Sequence, residues 1–240
     1  MSTQRRGAPP IGGPASILVV EDDEPIRLAL RELLECEGYD VVLAADGQQA
    51  LDAIAQEVPA LVLTDVQMPE IDGAELCERL RNRRATEDVP IVVLTAARNV
   101  EGLERHADAV MRKPFDIDAL LKVIAQFIRP TVPPRPSMLV STGRFRAASP
   151  TRTLVLYVTP GSAACLRAEN AIRSVLDGDL HEGMRPELEV VDVIANYDRA
   201  HEECVAMTPT LARNVHERRE LFIGDLSDLK LLRAFLMQLD

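Results

Sequence analysis

The sequence lacks tryptophan, is poor in aromatic residues and has no long apolar run. Aromatic residues make up 3% of the 240 residues, so a hydrophobic core has to be built from Leu, Val, Ile and Ala. No apolar run approaches the roughly 20 residues that a membrane-spanning helix needs. The first 16 residues contain two arginines but no apolar stretch like that of a secretory signal peptide. We therefore expect a cytoplasmic protein without a membrane partner.

Paired cysteines are also missing. The four cysteines are far apart, and no two of them form a Cys-x-x-Cys motif; they are Cys36, Cys77, Cys165 and Cys204. The four histidines do not have the spacing of zinc ligands either. These absences argue against a structural zinc site and favour reduced thiols, as in a cytoplasm.

One proline-rich stretch divides the chain. Residues 130–150 hold five prolines and three arginines but no acidic residue, a composition typical of an extended linker. We therefore predict a flexible tail over residues 1–16, a first domain over 17–129, a linker over 130–150 and a second domain over 151–240. The second domain has ten basic and fifteen acidic side chains, and the whole chain carries a net charge of −11.

The first domain alternates short apolar runs with amphipathic segments, which predicts an α/β fold with a doubly wound, five-stranded parallel sheet. The predicted strands are 17–20, 40–44, 60–64, 90–94 and 108–112. The predicted helices are 24–37, 47–57, 73–83, a short one at 99–105, and 116–128.

Polar residues follow four of these strands at their carboxyl ends. Glu21 and Asp22 follow the first strand, Asp65 the third, Thr95 the fourth and Lys113 the fifth. Asp65 alone would also suit a turn or a helix cap. Because ligands of such folds bind at the carboxyl ends of the strands, the whole set predicts one site.

Phosphoryl transfer to a carboxylate fits this site. Asp65 would be the nucleophile, and Glu21 and Asp22 would help to hold Mg²⁺. Lys113 would neutralise charge on the transferred group, and the Thr95 hydroxyl would bind one of its oxygens.

Residues 17–129 resemble the receiver domain of bacterial response regulators. The motifs are VVEDD (19–23), LTDVQMPEIDG (63–73), VLTA (93–96) and KPF (113–115). The resemblance implies phosphorylation of Asp65 by a sensor histidine kinase, with Thr95 as the switch and Lys113 as the phosphate sensor. It also implies a metal site completed by the backbone carbonyl of Gln67, and a cis bond before Pro114.

The second domain has the element order of thioredoxin-like folds, with Pro209 as a second candidate for a cis bond. Its predicted strands are 153–158, 188–194 and 219–223, and its predicted helices are 162–177, 197–206 and 226–238. A thiol oxidoreductase is one alternative, but Cys165 stands alone at the start of the first helix and suits core packing better. A DNA-acting regulator is another, but the acidic balance predicts no nucleic-acid partner.

The stretches LVLYVTPGS, LEVVDVIANYDRAHEECVAMTPTL and IGDLSD resemble KaiB, a small circadian-clock protein. That resemblance implies a protein-binding module without catalytic activity, whose partner is a KaiC-type ATPase. The sequence as a whole predicts a two-component response regulator, not an enzyme, in which a receiver modulates a KaiB-like output domain.

Overall fold

The computed structural model describes residues 16–96, 102–131, 139–143, 153–179, 186–203, 205–215, 218–223, 226 and 229–237. Their contacts group the chain into two compact units. The first unit holds the described residues up to Arg112 and those from Val123 to Thr131. The second unit holds Lys113–Lys122 and the described residues from Leu139 onward.

The first unit is built on a five-stranded parallel sheet in the order β2-β1-β3-β4-β5. Its strands are β1 (Ser16–Val20), β2 (Asp40–Ala44), β3 (Leu61–Asp65), β4 (Ile91–Thr95) and β5 (Ala109–Arg112). The helices between them are α1 (Glu24–Cys36), α2 (Gly47–Gln56) and α3 (Gly73–Arg81), with a 3₁₀ turn at Leu103–Arg105. This strand order is that of a doubly wound fold whose switch point lies between β1 and β3. The α/β fold and the parallel sheet predicted for this part of the chain are confirmed.

Buried strands and aspartate caps explain these elements. All five residues of β3 and of β4 are buried, as expected of a parallel sheet covered on both faces. Each of the three α-helices begins at an aspartate whose carboxylate accepts a hydrogen bond from an amide three residues on. The caps are Asp23 (3.0 Å), Asp46 (2.7 Å) and Asp72 (2.8 Å). Such caps satisfy amides that the first helical turn leaves unpaired.

The second unit contains a mixed sheet in the order β7-β12-β11-β8-β9. Its strands are β7 (Leu139–Gly143), β8 (Thr153–Val158), β9 (Glu187–Asp192), β11 (Thr210–Val215) and β12 (Arg218–Ile223). Strands β8 and β9 are parallel, whereas β11 is antiparallel to both β8 and β12. A separate parallel pair joins β6 (Phe115–Asp116) to β10 (Met207–Thr208).

The helices that begin in this unit are α4 (Ile117–Phe127), α5 (Ala163–Asp179), α6 (Tyr197–Glu202) and α7 (Leu229–Met237). The last three share buried clusters with the sheet. Ile172 of α5 and Phe235 of α7 belong to one buried cluster with Leu156 and Phe222 of the sheet.

Two features differ from the predicted division of the chain. Residues 139–143, inside the predicted linker, form β7 and pair with β12. The prolines on either side made this segment resemble a linker. It forms a strand because the edge of β12 is open to pairing. The contacts also place Lys113–Lys122 in the second unit, since β6 pairs with β10 there.

Several sequence predictions fall outside the described residues. These are the tail up to residue 15, the linker segments 132–138 and 144–150, and Cys204. The short helix predicted at 99–105 is a 3₁₀ turn over its described part, and residues 97–101 are not described.

Candidate functional site

Three carboxylates meet at the carboxyl edge of the first sheet. Glu21 and Asp22 follow β1, and Asp65 ends β3, the neighbouring parallel strand. One carboxylate oxygen from each lies within 4.8 Å of the others. Glu21 is 1% exposed and Asp65 8% exposed, whereas Asp22 faces solvent. The sheet thus brings together three of the predicted site residues, two of them shielded from water.

The turn after β1 is held by Arg27 of α1. One guanidinium nitrogen, Nη1, donates to the backbone carbonyls of Glu21 at 2.6 Å and Asp22 at 3.2 Å. The backbone of the acidic pair is therefore positioned by a cation that leaves their carboxylates to other partners.

The loop after β3 fits tightly around Asp65. The amide of Val66 donates to Asp65 Oδ1 at 2.5 Å, and the Gln67 amide lies 3.4 Å from the same oxygen. The Gly73 amide donates back to the Val66 carbonyl at 3.0 Å. A Cβ atom at Gly73 would lie 2.0 Å from the carbonyl oxygen of Asp65, so only glycine fits there.

The donor set suits a hard divalent cation. Mg²⁺ and Ca²⁺ prefer carboxylate and carbonyl oxygens, and the three carboxylates offer such oxygens from one side. Two shielded carboxylates this close also repel each other, and a cation between them removes that cost. The residues present therefore fit a metal. The participation of the Gln67 carbonyl stays a prediction.

A comparison with protein-family models identifies the domain that carries this edge of the sheet. Residues 17–125 match the family model of the response regulator receiver domain. This part of the chain is a response regulator receiver domain.

Relatives of the receiver domain come from several bacteria. The chain is 44% identical over 124 residues to "Response regulator MprA" of Mycolicibacterium vanbaalenii, which is 50% of this chain and 53% of the relative. It is also 44% identical over 121 residues to the protein of the same name from Mycobacterium avium, covering 49% and 52% of the two chains. The chain thus spans about half the length of the curated relatives it matches.

Solved structures of receiver proteins are also similar. The chemotaxis protein CheY4 of Vibrio cholerae is 30% identical, with a TM-score of 0.46, over 48% of this chain and 100% of that one. The response regulator TrrA of Thermotoga maritima, solved in complex with Mg²⁺-BeF, is 32% identical with a TM-score of 0.44. That match covers 47% of this chain and 98% of TrrA.

The receiver's two other polar site residues are both buried. Thr95 ends β4, one residue beyond the partner of Asp65 in the β3–β4 register, and is fully buried. Lys113 is 8% exposed and belongs to the second unit. The bond between Lys113 and Pro114 is cis. Their action on a phosphoryl group stays a prediction.

A second polar cluster, not anticipated from the sequence, surrounds Asp116. Ser162 Oγ donates to Asp116 Oδ2 at 2.5 Å, and the Ala119 amide donates to Oδ1 at 3.0 Å. Ser162 Oγ in turn accepts from the Cys165 amide at 3.2 Å. We call Asp116, Ser162 and Cys165 the Asp116 cluster. An aspartate three residues before Ala119 is a recognisable helix cap, but nothing local points to Ser162, 46 residues away.

The Asp116 cluster lies near the second cis bond, between Thr208 and Pro209. The hydroxyl of Thr208, a fully buried residue, is 2.7 Å from that of Thr159. The Thr159 amide donates to Cys165 Sγ at 3.3 Å. Cys165 is 4% exposed, as its predicted packing role requires.

No helix among the described residues has the length and apolar content that crossing a membrane requires.

Proposed function

We propose that this protein is a two-component response regulator that takes a phosphoryl group from a sensor histidine kinase onto Asp65. The observation that carries the proposal is the meeting of three carboxylates at the carboxyl edge of a receiver sheet. A receiver domain implies such a kinase as its partner. The expected metal is Mg²⁺, held by Glu21, Asp22 and Asp65.

The proposed reaction exchanges one phosphorus bond for another. An oxygen of Asp65 attacks the phosphorus of the kinase's phosphohistidine, the P–N bond breaks with its electron pair staying on the imidazole nitrogen, and that nitrogen takes a proton from water. When bound, the metal would neutralise charge on the transferring group. The Val66 amide donates to Asp65 Oδ1 and would help to orient the carboxylate for the attack. Thr95 and Lys113 would bind the transferred oxygens.

We further propose that residues 151–240, within the second unit, form a KaiB-like module that binds a protein and does not catalyse a reaction. The support is a parallel β8-α5-β9 unit followed by antiparallel strands β11 and β12 and a final helix. The cis bond before Pro209 occupies the position expected in a thioredoxin-like fold. A KaiC-type ATPase is the proposed partner, with clock-like signalling as the proposed process.

Two alternatives predict other activities. A thiol oxidoreductase needs an accessible thiol pair, whereas Cys165 is buried and Cys204 lies outside the described residues. The purified protein should therefore not reduce disulfides faster than a free thiol, and activity lost in Cys165→Ser would support the enzyme. A DNA-acting regulator would be retained on DNA in a phosphorylation-dependent way. The absence of a nucleic-acid partner stays a prediction.

Phosphodonor labelling tests the receiver chemistry. The protein should become labelled by acetyl phosphate in Mg²⁺ and lose the label in Asp65→Asn. Asp52→Asn is the matched control, because Asp52 is an exposed aspartate of α2 in the same unit. Labelling of Asp65→Asn equal to that of the control would overturn the assignment of Asp65.

Affinity capture tests the output. The protein, with and without beryllofluoride and Mg²⁺, would be offered a purified KaiC-type ATPase. Binding that changes with beryllofluoride supports both the partner and its regulation. Equal binding supports the partner alone, and absence of binding in both conditions overturns the KaiB-like proposal.

A further inference from the structure

The short strand β6 directly follows the predicted phosphate sensor. Phe115 lies two residues after Lys113, and its amide donates to the Ala206 carbonyl at 3.1 Å. Phe115 and Asp116 pair with Met207 and Thr208 in parallel register. The Phe115 side chain is buried, at 4% exposure. The second unit therefore includes, as a two-residue strand, the segment that leaves the last strand of the receiver sheet.

The Asp116 side chain attaches β6 to two helices. One oxygen accepts from Ser162, just before α5, and the other accepts from the Ala119 amide in the first turn of α4. Hydrogen bonds to a carboxylate are stronger than neutral ones. The backbone pair and the Asp116 cluster thus connect β6 to β10, to α4 and to the start of α5.

We propose that the pairing of β6 with β10 is the connection through which phosphorylation of Asp65 changes the second unit. The inference rests on the proposed function, because it needs Lys113 to respond to the phosphoryl group. Since Lys113 and Phe115 are separated by one residue, a backbone shift at Lys113 passes into β6. The pair is only two residues long, so few hydrogen bonds resist the shift.

The change has a direct path into the larger sheet. Strand β10 leads through Pro209 into β11, which lies between β12 and β8. The Thr210 hydroxyl also donates to the Met207 carbonyl at 2.7 Å, which links the two strands a second time. A shift of β10 therefore alters a central strand of the proposed protein-binding module.

Amide hydrogen exchange on the full chain tests this connection. Exchange would be followed in peptides covering 65–72, 113–117 and 205–211, with and without beryllofluoride and Mg²⁺. The first peptide reports binding at Asp65, and the other two report the β6–β10 pair. When the first peptide is protected, we expect the amide exchange rate in the other two peptides to change by about fivefold or more.

The outcomes separate the inference from the proposed function. Protection of 65–72 with unchanged exchange in the other two peptides overturns the inference and leaves phosphorylation intact. A complete lack of protection at 65–72 overturns the proposed function, and the inference falls with it. A joint change that disappears in Asp65→Asn supports both.

The variant Ser162→Ala tests whether the Asp116 cluster holds the β6–β10 pair together. It removes the hydroxyl donor to Asp116, so β6 should open more often and exchange about tenfold faster without beryllofluoride. The beryllofluoride effect on 205–211 should shrink while 65–72 stays protected. Arg173→Ala is the control, because Arg173 forms an exposed ion pair with Glu169 in α5, the helix that follows Ser162. Exchange of Ser162→Ala equal to this control would overturn the inference.

Discussion

Asp65 of the first unit and Asp116 of the second both end a β-strand, yet their oxygens have different neighbours. Asp65 shares its edge of the sheet with two further carboxylates, all within 4.8 Å. Asp116 instead accepts a hydroxyl hydrogen bond on one oxygen and an amide hydrogen bond on the other. The same residue type at the same kind of position therefore serves two purposes.

Grouping decides the purpose. Carboxylates gathered together repel one another, which costs stability, and such a group suits the binding of a cation. A carboxylate surrounded by donors is satisfied by the protein itself and stabilises the fold. Substitution of an acid should therefore mainly weaken cation binding in the first region and mainly lower stability in the second.

The largest effect is expected at the turn behind Asp65. Gly73→Ala places a Cβ atom 2.0 Å from the Asp65 carbonyl oxygen and should lower the free energy of unfolding by about 3 kcal/mol. Gly178→Ala is the matched control in α5, where a Cβ would meet nothing within 4 Å, and it should stabilise by about 0.5–1 kcal/mol. Urea unfolding measures both. Equal effects would mean that the turn is not tight.

The next effect separates the two groups of acids. Asp116→Asn replaces an acceptor with an NH₂ group that faces a donor, and should cost about 1–3 kcal/mol of stability. Asp22→Asn should change metal-free stability by less than about 0.5 kcal/mol, because Asp22 is exposed. It should instead weaken the rise in melting temperature on adding Mg²⁺. A Mg²⁺ response retained in full by Asp22→Asn would contradict its role as a ligand.

The burial of Cys77 also makes the stability of the first unit fall at alkaline pH. Burial in α3 raises the pKa of the Cys77 thiol from 9.0 to about 12. The unfolded chain then loses this proton at lower pH than the native protein does. The contribution of the neutral thiol is therefore fully present below pH 9 and falls as pH rises toward 12. Its slope is at most about 1.4 kcal/mol per pH unit.

Urea unfolding between pH 8 and 11 measures this contribution. Cys77→Ala should show a shallower decline than the wild type over that range. The same slope in both proteins would assign the alkaline loss of stability to other groups.

The smallest effect compares surface ion pairs. Arg79 forms one exposed pair with Glu75, and Arg79→Ala should cost about 0.3–0.5 kcal/mol. Arg199 binds Glu189 through two nitrogens and also contacts Glu203, and the hydrogen bond to Glu189 raises its pKa. Arg199→Ala should cost more, about 1 kcal/mol. Equal losses of stability in urea unfolding would show that the additional contacts of Arg199 do not contribute to stability.

The receiver sheet was predictable because its signals are local. Each buried strand is a short apolar run, and each of the helices α1 to α3 begins at an aspartate. The order in which acids and glycine follow β1 and β3 also places Glu21, Asp22, Asp65 and Gly73 at one edge, once the sheet is known to be parallel.

The second unit was predictable only in part. Strand β8 lies where its apolar run indicates. Strand β7 was not predicted, because it lies within a proline-rich stretch that resembles a linker. Strands β6 and β10 have two residues each, too few for any periodicity to show.

The amino-acid sequence by itself determined the secondary structure of the receiver and the chemical nature of its acidic edge, since periodicity, caps and strand-end residues act over a few positions. Tertiary structure alone decided that the segment after Lys113 pairs with β10 and that Asp116 meets Ser162. The physical reason is distance along the chain. A pairing between residues 46 or more positions apart depends on which edges and donors remain free once the larger elements have packed, and no local pattern records that.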